Sequence, residues 1–162
     1  MKLSWKNFKI SIAGAKLSHL VRKDKAWDPG SMTEQARVIF TLVQKANNSS
    51  NIDSLKKYLT ASCFQVLENE LAILKRSNRT WKVTDWQISE IAILEVHPGK
   101  GKRSDAFVAY IHVFLKDDIL KTVVHQLPDY STTLHWTFEN HRGWWMLSEM
   151  KGRVDPEQNL IK

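Results

Sequence analysis

The chain has 162 residues, 43% of them hydrophobic and seven of them Trp, which suits one domain with one core. A single cysteine, Cys63, excludes a disulfide framework and a cysteine-based zinc site. No apolar run approaches the roughly 18 residues of a membrane span, and Phe8 to Ala15, interrupted by Lys9 and Ser11, does not read as a secretory signal. The net charge of +7 is concentrated in residues 1–27, where seven basic side chains face Asp24 alone, a net of +6; the other 135 residues carry +1. A nucleic-acid domain more often spreads its basic residues over a folded face.

Residues 1–27 form a basic N-terminal arm or helix. Trp5, Phe8, Ile12 and Ala15 follow helical spacing, with Leu17, Leu20 and Val21 broadening that face, while Phe8, Ile10 and Ile12 also alternate as a strand would. Docked on the body, the arm keeps its lysines solvated; at a membrane, it is an interfacial helix, and the two readings are compatible. A turn at Pro29-Gly30 opens the main domain, residues 28–150, and a chain starting at Asp28 is expected to keep its fold. Ser31 and Glu34 have the spacing of a capping box. The helix they open carries Met32, Ala36, Ile39, Phe40, Val43 and Ala46 inward, and Asn47 to Asn51 stops it. A short helix brings Ile52, Leu55 and Leu59 inward. Thr60 caps a third, with Phe64, Leu67, Leu71 and Leu74 on one face.

The period then changes to two. Val83 to Val96 is β-branched and slips near Ser89-Glu90, the mark of a bulge. His97 to Gly101 reads as a hairpin loop. From Phe107 to Leu115 both alternating sets are largely apolar, as in a central strand covered on both sides. Thr122 to His125 suggests a further strand. Leu134, Trp136 and Phe138 share a strand face, and Asn140 to Gly143 turns the chain into Trp144 to Met150. Residues 151–162 form a polar C-terminal tail. Helices first and antiparallel strands after predict an α+β fold, with the helices packed on a strongly bent sheet.

The order of Ala36 to Ala46, Asn51 to Thr60, Trp136-Thr137-Phe138 and Trp145 to Met150 resembles the C-terminal domain of mitochondrial import inner-membrane translocase subunit 44 and its bacterial relatives, over about residues 28–150. That family belongs to the cone-shaped nuclear transport factor 2-like superfamily. The resemblance implies a peripheral adaptor at a membrane, on the bacterial cytoplasmic side or in the mitochondrial matrix, in a translocation or ribosome-receptor context. Asn47 stands where the family often has an aromatic residue, and the long charged N-terminal region of the mitochondrial subunit has no counterpart here. Its chaperone contact is therefore not expected to carry over.

Candidate residues fall into two groups. Lys2, Trp5, Lys6, Phe8, Lys9, Lys16, Arg22, Lys23 and Lys25 are expected to bind anionic lipid. Tyr110, His112, Trp136 and Trp145 are expected to line a cavity or an interface, for an apolar ligand, a protein partner of unknown identity, or a second copy paired through the sheet. Ribosome contact through the arm is a variant of the first reading. No cofactor or metal is expected, because His125, His135 and His141 lack ligand spacing. Asp105, His112 and His135 are the candidates for the alternative, a small-molecule-binding or catalytic domain, but none has a partner to orient it. Asp117-Asp118 reads as a loop cap. Trp81, Trp86, Trp144 and Trp145 lack the interleaved cations of a base-stacking platform, and Gly99 to Lys102 lacks phosphate-loop spacing.

Overall fold

The computed structural model describes residues 4–49, 51–76, 86–115 and 131–152. In chain order these form α1 (Trp5–Leu20), a 3-10 turn at Lys25–Trp27, α2 (Pro29–Ser49), a second 3-10 turn at Asp53–Leu55, and α3 (Ala61–Arg76). Four strands follow: β1 (Trp86–His97), β2 (Ala106–Leu115), β3 (Ser131–His141) and β4 (Trp144–Lys151). They make one antiparallel meander in the order β1-β2-β3-β4. Helices first and an antiparallel sheet after is an α+β fold. The expected strand at 122–125 and the tail beyond Gly152 lie outside the described residues, as do Trp81, His125 and Asp117-Asp118.

The core sits between the helices and one face of the sheet. Met32, Ala36, Ile39, Phe40, Val43 and Ala46 are all buried, as the periodicity of α2 requires. They meet Phe107, Ala109, Ile111 and Val113 of β2, and Leu134, Trp136 and Phe138 of β3, in the same cluster. The expected short second helix is only the 3-10 turn, yet Ile52, Leu55 and Leu59 point inward as read. The Thr60 hydroxyl accepts from the Cys63 amide at 3.3 Å and caps α3. Residues 58–60 also cover part of the β4 edge: the Thr60 amide donates to Leu147 and the Leu147 amide to Tyr58, each at 2.9 Å.

The cap of α2 differs from the expectation. Asp28, not Ser31, is its capping residue: the Asp28 carboxylate accepts from the Ser31 amide at 2.9 Å and from the Ser31 hydroxyl at 2.8 Å. Pro29 fits the first helical turn, where a missing N–H costs nothing, so the helix starts at the Pro-Gly pair that resembled a turn. Glu34 turns instead toward Arg37, at 3.8 Å.

The bulge near Ser89 is present. Ile88 pairs with Val113 and Glu90 with His112, leaving Ser89 extra, and its hydroxyl donates to the His112 carbonyl at 3.1 Å. A second bulge leaves Leu94 unpaired between Ile93 and Glu95. At the β1–β2 hairpin the Gly99 amide donates to the Asp105 carboxylate at 2.7 Å. A side chain at Gly99 would collide with the Arg103 carbonyl, which explains why this position is glycine.

Candidate membrane-facing site

Helix α1 begins at Ser4, whose hydroxyl accepts from the Asn7 amide at 3.1 Å. The arm is thus a helix rather than a strand, and it lies against β1. Of the face read from the sequence, Leu17, Leu20 and Val21 dock, whereas Trp5, Phe8, Ile12 and Ala15 do not. Ala13 and Leu17 are buried, with Leu20, Val21 and Ala26 packed beside them. Trp5, Phe8 and Ile12 are 69%, 49% and 43% exposed and form a separate stripe at i, i+3 and i+7. The Trp5 and Phe8 rings stack with centroids 5.6 Å apart. The helix is therefore apolar on two faces, and only one of them has a partner among the described residues.

Two lysines of the helix are engaged by β1. Lys6 Nζ lies 3.1 Å from a Glu90 carboxylate oxygen and 4.6 Å from the centroid of the Tyr110 ring. The hydrogen bond to Glu90, chiefly, raises the Lys6 pKa above its ordinary value. Lys9 approaches Glu95 at 3.8 Å and sits 5.9 Å over the Trp5 ring. Lys16, Arg22, Lys23 and Lys25 are exposed. Lys2 lies outside the described residues.

The second predicted group does not come together. Trp136 pairs with Ala109, whereas Tyr110 pairs with His135, so Trp136 and Tyr110 point to opposite faces of the sheet. Trp136 and Trp145 are each 5% exposed on the helix-covered face, Trp136 against Phe40 at 5.6 Å and Trp145 against Phe107 at 4.8 Å. Tyr110 and His112 lie half-buried on the other face. His112 Nδ1 is 3.1 Å from the Thr133 hydroxyl, and the Tyr110 and His135 rings are 6.0 Å apart. No common concavity joins the four residues, because adjacent positions on a strand alternate sides.

The other candidates are also dispersed. Asp105 holds the Gly99 amide at the hairpin, whereas His112 meets Thr133 and His135 meets Tyr110. His141 meets Glu139 at 3.3 Å. Among the described residues no three His, Cys, Asp or Glu side chains could hold a metal ion. Trp86 and Trp145 are buried while Trp144 is exposed beside Tyr58, 6.2 Å between rings.

The Tim44-like domain family matches residues 13–151, from within α1 to the end of β4. The chain belongs to that family. No curated protein matches it. Among solved structures, this Tim44-like domain is similar to the intermembrane-space region of the chloroplast protein ARC6, with 13% identity, a TM-score of 0.43, and coverage of 76% of this chain and 97% of that one. It is also similar to a designed NTF2 protein, with 15% identity, a TM-score of 0.43, and coverage of 76% and 99%. The family match includes Ala13 and Leu17, the residues that dock α1 on the sheet.

Sequence reasoning missed the contacts made by Lys6, Glu90, Leu94, Glu95 and His97. The bulge signal near Ser89 was legible, but a second bulge at Leu94 leaves no local mark in an apolar run.

Proposed function

We propose that this Tim44-like domain is a non-catalytic, membrane-peripheral adaptor that rests on an anionic lipid surface through α1 and holds a protein partner elsewhere. The observation that carries the reading is the Trp5-Phe8-Ile12 stripe, exposed on a helix whose opposite side is fixed to the sheet. Aromatic rings favour the headgroup boundary, where one edge is wet and the other apolar. Lys16, Arg22, Lys23 and Lys25 supply the charge complementarity. Among the described residues no helix is long and apolar enough to cross a membrane, so the attachment proposed is to the surface. The bonds of Asp105 to Gly99 and of His112 to Thr133 are structural, and they favour a binding role over an acid–base one.

Flotation tests this reading. The full chain is expected to float with phosphatidylglycerol-containing liposomes at low salt, and less at high salt as screening grows. It should float poorly with phosphatidylcholine alone. Replacing Trp5 and Phe8 by Ser, both exposed, should reduce binding about tenfold without unfolding the domain. Flotation of that variant at the level of the parent would sink the proposal.

A further inference from the structure

We infer that the cleft between α1 and the end of β1 seats the phosphate of an anionic lipid headgroup. This inference rests on the membrane reading above and gives it a site. The cleft holds about 150 Å³ and is lined by Lys9, Ile12, Ala13 and Lys16 from the helix and by Leu94 to His97 from the strand. The β1 bulge builds it. Leu94 has no cross-strand partner, is only 8% exposed, and lies outside the main core cluster. A bulge re-aims a side chain in this way, and here it supplies an apolar floor under the helix with Ala13 and Val96.

Volume and charge define the ligand. Sites for whole small molecules hold about 300–1,000 Å³, so this cleft suits a headgroup and the first carbons behind it rather than an acyl chain. Lys9 and His97 both approach the same Glu95 oxygen, each at 3.8 Å. That is longer than the roughly 2.7–2.9 Å of a hydrogen-bonded ion pair, which leaves the Lys9 ammonium and the His97 ring able to turn to a stronger acceptor. Among the described residues nothing pairs with Lys16. Two lysines against one carboxylate leave the cleft positive. Ile12 belongs to both the exposed stripe and the cleft wall, so a helix settled by Trp5 and Phe8 carries the cleft to headgroup depth.

Phosphate chemistry is shared by lipids and by free phosphate, and a titration separates them. The isotope-labelled full chain is titrated, below micelle formation, with dihexanoyl phosphatidylglycerol, with dihexanoyl phosphatidylcholine and with inorganic phosphate. Amide shifts are followed at Ala13, Lys16, Val96 and His97. Saturable shifts are expected with phosphatidylglycerol, at an affinity about tenfold above that for either control. Lys16→Gln should weaken that binding about fivefold, the contribution of one cation near an anionic headgroup. The Trp5/Phe8 double variant should retain it. Silence at these amides, an undiminished response in Lys16→Gln, or equal affinity for inorganic phosphate would each overturn the inference. Because the short-chain lipid is soluble, cleft binding without flotation would reject the membrane reading alone, and flotation without cleft binding would reject the cleft alone.

Discussion

The indole N–H of Trp145 donates to the carbonyl of Ala26 at 2.9 Å, tying β4 to the segment that joins α1 and α2. The Trp27 ring meets the same indole edge-on, 5.2 Å between centroids, and is itself 3% exposed. Residues 1–27 therefore contribute side chains to the core as well as charge to the surface. A chain starting at Asp28 loses Ala13, Leu17 and Trp27 and uncovers Trp145, against the sequence expectation that it keeps its fold. Leu17→Ala in the full chain is expected to cost about 3 kcal/mol, within the range for a truncated buried leucine. Urea denaturation of the variant measures it, and a loss below about 0.5 kcal/mol, the size of a surface substitution, would show that α1 is not integral.

Glu90 and Glu95 hold Lys6 and Lys9, and in the proposed lipid-bound state they would compete with lipid for them. Glu90→Gln is expected to strengthen binding to phosphatidylglycerol liposomes about fivefold at low salt, because it removes a negative charge and frees a lysine. The gain should shrink in high salt, since exposed charges are screened. Binding isotherms at two ionic strengths check both statements.

The Gln44 Nε2 and the Trp136 Nε1 are buried without a hydrogen-bond partner among the described residues. An unpaired buried donor carries its desolvation penalty with no compensation. Gln44→Leu, which keeps the approximate volume, is expected to raise stability by about 1 kcal/mol in a denaturant series. A loss of similar size would mean that the amide holds a water or another acceptor in solution.

Burial, chiefly, pushes the Cys63 thiol up to about 11 from its ordinary 9.0, with Glu70 and Glu149 adding to the shift. The folded state then keeps its proton between pH 9 and 11 while the unfolded chain releases it, so stability falls as pH rises through that window. Replacing Cys63 by Ala should make the decline over this window shallower. In the parent protein, thiol labelling at pH 8 should be slow and limited by opening of α3.

The Asp28 carboxyl titrates in the opposite sense. Its hydrogen bonds from Ser31, the backbone amide first, hold its pKa below the ordinary carboxylate value of 3.8. Its contribution to stability is present above that value and is lost as pH falls through the lowered one. Asp28→Ala should lower the thermal midpoint at neutral pH, and the difference from the parent should narrow under acid. An unchanged midpoint at pH 7 would show that the α2 cap is energetically idle.

The sequence by itself determined the features that repeat over a few residues. The inward face of α2 from Met32 to Ala46, the Thr60 cap, the bulge at Ser89 and the apolar β2 strand are all local patterns, and each stands in the structure. The cap of α2 was misread at Ser31: Asp28 is as good a capping residue, and the helical start at Pro29 makes it the cap. Tertiary structure alone decided which apolar face of α1 docks. Trp5-Phe8-Ile12 and Ala13-Leu17 both have helical spacing, and the choice depends on β1, some eighty residues away, whose Glu90 and Glu95 receive Lys6 and Lys9. It also decided that Tyr110 and Trp136 face apart. Cross-strand register is a long-range property, and a shift of one residue sends every side chain of a strand to the other side of the sheet.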